Sequence, residues 1–306
     1  MANIIFMGTP EFAVPALQAI HTRFGVCTVV TAPDKPRGRG QSVSPSAVKQ
    51  AAIDLGITDI LQPSSLKDPD FAAEIASREP DVMCVIAFRI LPRSVFTLAR
   101  AGSFNVHASL LPKFRGAAPI NHAIIAGESV TGVTSFLLND VVDTGTILLQ
   151  RELAIPDGTT AGELYTALMP LAAECAVATC TGLLTGTLHA QPQNDALATP
   201  APKVFRETSS IDWTNNRSVV RNFIHGMSPS PCAWTVWNGE ILKIYRTSLI
   251  DGQGAPGTWQ IRDGVFRAAC ANGMLSIDEL QLPGKRRMAT FEVLRGYRGQ
   301  TEGTFQ

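Results

Sequence analysis

Short apolar runs alternate with helix-patterned stretches through the first half of the chain. Residues 3–7, 26–31 and 82–88 read as strands, and helices are predicted around 14–20, 48–55 and 71–77. The run 82–88 is apolar at successive positions, so both faces of that strand expect cover, as in a parallel sheet flanked by helices. The grammar is βαβ, and it predicts an α/β fold with an open, doubly wound, mostly parallel sheet.

A long helix over 161–184 precedes a proline-containing polar stretch with Pro192, Pro200 and Pro202, which reads as a linker. Beyond it the pattern changes to short alternating strands. Asn238-Gly239, Asp263-Gly264 and Asn272-Gly273 each lie between such strands, where tight hairpins require them. A helix over 218–226 leads in, and another over 290–295 stops at Gly296. The expected organisation is an α/β domain over 1–189, a linker over 190–206 and a small β-barrel over 207–306.

Composition adds little that is positive but excludes much. With 45% hydrophobic and 17% charged residues in 306, the chain is neither disordered nor fibrous. The 26 basic residues balance 26 acidic ones, so contact with nucleic acid must rest on a local patch. Six scattered cysteines without a C-x-x-C pair predict reduced thiols and no metal site. Pro10, Glu11 and Pro15 break any signal-like apolar core, and no apolar run is expected to reach the roughly 18 residues of a membrane span. A cytoplasmic protein with no membrane partner is expected.

The candidate chemistry lies at 104–112. Asn105 and His107 are two apart on a strand and so share a face, and the following Pro112 ends the strand at what would be the carboxyl edge of the sheet. An amide beside an imidazole can hold an oxyanion and manage protons in acyl transfer; the same pair can equally be a strand end whose histidine bonds backbone. Asp143, before Thr144-Gly145, is either the carboxylate that orients the ring or an ordinary turn residue. Gly8-Thr9-Pro10 lacks dinucleotide-fingerprint spacing, and the basic loop at 33–40 lacks the triphosphate-cradle arrangement. Lys35, Arg37 and Arg39 on that loop, and Lys285-Arg286-Arg287 in the barrel, are either solvated charge or contacts to a phosphate backbone.

Taken together, Met7-Gly8-Thr9-Pro10-Glu11-Phe12, the loop at 33–40, Asn105-Val106-His107 through Pro112, Arg115-Gly116-Ala117-Ala118-Pro119-Ile120, Asp143-Thr144-Gly145, Ile211-Asp212-Trp213 and Pro256-Gly257-Thr258 resemble the methionyl-tRNA formyltransferase family of folate-dependent formyltransferases along the whole chain. The resemblance implies a Rossmann-like formyltransferase domain followed by an OB-like barrel. It implies formyl transfer from 10-formyltetrahydrofolate, a co-substrate, to methionyl-initiator-tRNA by a monomer needing no metal. Family catalytic residues fall on Asn105, His107 and Asp143. Folate contacts fall on Ser109, Leu110, Leu111 and Pro112, with the pterin against 86–91, and tRNA contacts fall on Lys35, Arg37 and Arg39 within the loop 34–49. The sequence departs from the family pattern at Thr146, at Phe88-Arg89 and at Phe205-Arg206-Glu207, where many relatives carry a lysine. The competing expectations are a formyltransferase acting on a nucleotide sugar, a formyltetrahydrofolate hydrolase, and a non-catalytic RNA-binding protein.

Overall fold

The computed structural model describes residues 2–37 and 42–306, with side chains for all of these except 36, 37, 42 and 43. In chain order the strands of the first half are β1 (Ile4–Gly8), β2 (Thr28–Val30), β3 (Lys35–Arg37), β4 (Ser42–Ser44), β5 (Ile60–Leu61), β6 (Val82–Ile86), β7 (Gly102–His107), β8 (Val130–Leu137) and β9 (Ile147–Ala154). All except the β3–β4 hairpin join one sheet in the order β5-β2-β1-β6-β7-β8-β9. Pairing is parallel from β5 to β7, and β8 runs antiparallel to β7. β1 and β6 are buried at every position, as their unbroken apolar sequences require when helices cover both faces.

The sheet is doubly wound because the chain moves outward from β1 to β2 and β5, then returns to β6 on the other side of β1. Ligands in such sheets bind at the carboxyl ends of the strands beside this reversal. Helices α1 (Val14–Phe24), α2 (Ala47–Asp54), α3 (Pro69–Ala76), α4 (Arg93–Phe96), α5 (Pro119–Ile125) and α6 (Ala161–Thr185) complete the first half. α1 runs beyond the predicted end and stops where Gly25 takes φ 78°, while β6 ends before its predicted end because Ala87 turns to φ 47°.

α6 corrects one expectation, being 25 residues long and apolar enough in length and composition to cross a membrane. Its buried positions Leu164, Leu168, Ala172, Cys175, Ala176 and Thr179 follow the helical repeat, and Thr179 Oγ1 bonds Ser135 Oγ of β8 at 2.7 Å. That is the pattern of a core helix, each of whose fully buried leucines contributes about 1.5–3 kcal/mol.

Chain packing interleaves segments instead of cutting once at a linker. Residues 1–116, 131–153 and 165–200 form one compact unit, and residues 117–130, 154–164 and 201–306 form the other. The stretch 190–200, expected as linker, thus packs within the first unit.

The second unit contains α7 (Arg217–Met227), β10 (Ala233–Trp237), β11 (Glu240–Ile250), β12 (Thr258–Arg262), β13 (Val265–Cys270), β14 (Gly273–Gln281), β15 (Met288–Ala289), α8 (Thr290–Leu294) and β16 (Glu302–Thr304). Its antiparallel sheet has the order β10-β11-β14-β13-β12-β16. Val236 and Gln306 exchange backbone hydrogen bonds of 3.0 and 3.1 Å, so the chain after β16 returns to the β10 edge and the sheet curls into a small barrel. Trp213, Trp237, Trp259, Phe266 and Phe305 fill it. Asn238-Gly239 and Asp263-Gly264 adopt positive φ at both turn positions, as expected of their hairpins.

Two details differ from expectation. Cys270 pairs with Gly273, so the third turn is Ala271-Asn272, one residue early; Ala271 N bonds Asn215 O and Arg217 N bonds Asn272 Oδ1, which fixes that register. α8 ends at Leu294 without a left-handed glycine at 296.

Candidate active site

Strand β7 lies between parallel β6 and antiparallel β8, with Asn105 opposite Val85 and Phe136 and with His107 opposite Thr134. Both side chains therefore project from one face at the carboxyl end of a central strand. His107 is buried, 7% exposed, and its Nε2 lies 2.8 Å from the Phe114 carbonyl oxygen. Its Nδ1 lies 3.7 Å from Oδ2 of Asp143, itself 8% exposed. A neutral imidazole has one N–H for these two acceptors, whereas the protonated ring has one for each.

Asp143 reaches the ring from the β8–β9 loop through a left-handed backbone, φ 56°, a conformation that costs a non-glycine residue about 1–3 kcal/mol. Surrounding contacts hold it there. Gly116 N donates to Asp143 Oδ2 at 2.9 Å, and Gly145 fits only because it has no Cβ, which would lie 1.7 Å from the Leu137 carbonyl oxygen. The candidate trio is thus brought together, with Asn105 on the same strand face. Asn105 Oδ1 is buried without a hydrogen-bond partner among the described residues. Whichever way the amide is turned, one of its polar atoms faces no protein group, a situation costing about 1–3 kcal/mol unless a ligand meets it.

The segment at 109–112 is held from behind. Thr134 Oγ1 donates to Ser109 O and accepts from Leu111 N, Gln150 Nε2 donates to Leu111 O, and the Ser109 hydroxyl donates to Lys113 O. These bonds use both backbone groups of Leu111 and the Ser109 side chain, leaving half-exposed Leu110 and Pro112 as the segment's outward surface. In the turn after β6, the Arg89 guanidinium donates to Pro63 O and Ser64 O and lies 5.3 Å from the Phe88 ring centroid. Arg89 therefore fastens the 86–91 turn to residues 63–64, and Ile90 is left 76% exposed in that turn.

The basic loop is better structured at its base than expected, since β3 and β4 pair from Lys35–Ser44 to Arg37–Ser42. Lys35 is exposed, whereas the side chain of Arg37 and all of Arg39 lie outside the described residues. Lys49, at the far end of the loop, is bound to Asp34 at 2.5 Å and to Gln62 at 2.7 Å. The Lys49 ammonium and the Gln62 amide hold the Asp34 carboxyl below the usual range.

Several residues of the site escaped sequence reading. Thr199 Oγ1 accepts from Phe114 N, Thr199 O accepts from Arg115 N, and Gln193 bonds Arg115, Asp143 and Gly145. These lie in the stretch read as linker, where isolated polar residues among prolines carry no periodic signal. Among the described residues no group of three or more His, Cys, Asp or Glu converges as a metal site would.

The chain is similar to known proteins along most of its length. Residues 2–179 match the formyl transferase family and residues 203–298 match the formyl transferase C-terminal domain. The methionyl-tRNA formyltransferase of Chlorobium luteolum is 43% identical, covering 97% of this chain and 97% of its own, and that of Porphyromonas gingivalis is 43% identical, covering 96% and 95%. Among solved structures, the N-formyltransferase of Helicobacter canadensis in complex with folinic acid and dTDP-3-aminofucose superposes with TM-score 0.70 at 17% identity, over 94% of this chain and 100% of that one. HypX from Aquifex aeolicus in complex with tetrahydrofolic acid gives 0.62 at 17% identity, over 95% and 46%. At these identities the solved structures establish a shared fold; the full-length match to the curated relatives goes further, and the chain belongs to the methionyl-tRNA formyltransferase family.

Proposed function

We propose that this protein transfers the formyl group of 10-formyltetrahydrofolate to the α-amino group of methionyl-initiator-tRNA, with Asn105, His107 and Asp143 as its catalytic residues. The observation that carries the reading is the convergence of a buried imidazole, a carboxylate 3.7 Å from it and a neighbouring amide with an unpartnered buried atom. Structural relatives are described as complexes with folinic acid and tetrahydrofolic acid, which supports a folate as the donor. The folate supplies a formyl group already activated on nitrogen.

The residues here have distinct tasks. Attack by the neutral α-amine forms the new C–N bond and puts negative charge on the formyl oxygen, to which the Asn105 amide donates; such a donor is worth about 3–4 kcal/mol in comparable sites. His107 takes the proton that the attacking nitrogen loses and returns one to the departing folate nitrogen as the old C–N bond breaks. Asp143, fixed by Gly116 N, holds the ring in register and balances its charge when it is protonated. Leu110 and Pro112 offer an apolar wall to the folate, alongside the turn at 86–91.

Lys35, Arg37 and Arg39 contact the tRNA near its acceptor end, and the barrel, with a formal charge of +2 over residues 207–306, meets the flanking backbone. The full-length match to curated methionyl-tRNA formyltransferases supports that acceptor. Acting in translation initiation, the enzyme works as a cytoplasmic monomer. Asn105→Ala tests the reading: single-turnover formyl transfer should slow by about 10²- to 10³-fold, and an unchanged rate would remove the amide from the chemistry.

A further inference from the structure

We propose that Gln193 is a positioning residue for this reaction, a strut that fixes the Asp143 loop against the Arg115 loop and thereby sets the relation of Asp143 to His107. The inference rests on the catalytic reading of Asp143 given above. The Gln193 Oε1 accepts from Arg115 Nε at 3.0 Å and Nη2 at 2.7 Å, while its Nε2 donates to the carbonyl oxygens of Asp143 at 2.9 Å and Gly145 at 2.8 Å. All four hydrogen-bonding positions of the amide are filled, and only one orientation fills them, because the reverse would set NH₂ against the guanidinium and oxygen against two carbonyls.

The contacts close a ring. Asp143 O is bound to Gln193, Gln193 to Arg115, and the next residue, Gly116, donates its N–H to Asp143 Oδ2. Phe114, the residue before Arg115, meets His107 Nε2 with its carbonyl oxygen and donates its N–H to Thr199 Oγ1. One short loop, 114–116, therefore holds both the imidazole and the carboxylate, and Gln193 is the side chain that locks this loop to the backbone of residue 143. The lock has work to do because both Phe114, φ 60°, and Asp143, φ 56°, hold left-handed conformations that a free loop would abandon. Gln193 is itself partly exposed and reaches neither face of the imidazole through any bond, so its part is played through Asp143.

The test is a double-mutant cycle in the full-length enzyme, measuring formyl transfer to methionyl-initiator-tRNA across pH for wild type, Gln193→Ala, Asp143→Asn and the double variant. Gln193→Glu is run beside them, since it keeps acceptors for Arg115 but loses both donors. Both Gln193 variants should lower kcat on the order of ten- to a hundredfold, shift the pH dependence of kcat, and leave KM for each substrate within about twofold, with Tm close to wild type. In the Asp143→Asn background, Gln193→Ala should cost nothing further. An active Asp143→Asn enzyme would overturn the catalytic reading and this inference with it. A crippled Asp143→Asn enzyme, combined with unchanged kcat and pH profile in Gln193→Ala or with a Gln193 loss undiminished in the Asp143→Asn background, would overturn this inference alone.

Discussion

His107 Nδ1 and Asp143 Oδ2 stand 3.7 Å apart, one on the end of a central strand and the other on a loop with a left-handed backbone. That separation is longer than a hydrogen bond, and it is the relation on which the proposed role of Asp143 rests. Asp143→Asn replaces the charge with an amide of the same shape. We expect kcat to fall by about 10²-fold or more, with folate binding by equilibrium titration nearly unchanged; full turnover in the variant would remove Asp143 from the mechanism.

Gly145 tests whether the loop geometry matters apart from charge. A Cβ there would lie 1.7 Å from the Leu137 carbonyl oxygen, and backbone cannot yield as a side-chain tip does. Gly145→Ala should displace the Asp143 loop, lowering stability by about 1–3 kcal/mol in denaturant titrations and depressing activity by more than the Tm change explains. Wild-type activity would show that the loop tolerates repositioning.

The basic hairpin gives a prediction with a different signature. Arg39→Ala should raise KM for methionyl-initiator-tRNA severalfold and reduce the dependence of binding on salt by about one phosphate contact. The dissociation constant for 10-formyltetrahydrofolate should not move. Identical tRNA kinetics would take the loop out of acceptor recognition.

His225 makes the barrel unit sensitive to acid. It is 2% exposed, with Nε2 at 3.1 Å from both the nitrogen and the oxygen of Thr247, and burial together with the Arg246 and Arg221 charges lowers its pKa to about 4. The hydrogen bond with the Thr247 backbone and the charge of Glu163, paired with Arg246, oppose that shift only in part. Because the unfolded histidine binds its proton near pH 6.5, the unfolded state carries more protons between pH 6.5 and 4. Stability is full above pH 6.5 and declines as pH falls through this window, by up to about 3 kcal/mol. Chemical denaturation at pH 7 and pH 4.5 should show the decline, and His225→Gln should remove most of this slope; an unaltered slope in the variant would assign it to other groups.

Much of the first unit was legible because its signals are local. The all-apolar runs at β1 and β6 can only be strands covered on both faces, and the spacing of Asn105 and His107 places them on one face whatever else the fold does. Asn238-Gly239 and Asp263-Gly264 announced their turns through the positive φ they accept. Long-range relations were not legible. Residues 117–130 and 154–164 join the second unit, and Gln193 and Thr199 join the first, through contacts between segments far apart in the chain, which leave no periodicity in the sequence. The third turn moved by one residue because contacts from Asn215 and Arg217, not its own dipeptide, fix it. Arg89 is fastened by the carbonyl oxygens of Pro63 and Ser64, far earlier in the chain, so its own neighbours in the sequence carry no sign of that contact.

The account is tested most directly by offering one preparation of the enzyme 10-formyltetrahydrofolate with methionyl-initiator-tRNA, methionyl-elongator-tRNA or a nucleotide amino-sugar, and measuring formyl incorporation. Transfer to the initiator alone, at least about tenfold faster than to the elongator, is the expected result. Transfer to the sugar, or release of formate without any acceptor, would leave the catalytic trio standing and contradict the assignment of initiator tRNA to this site.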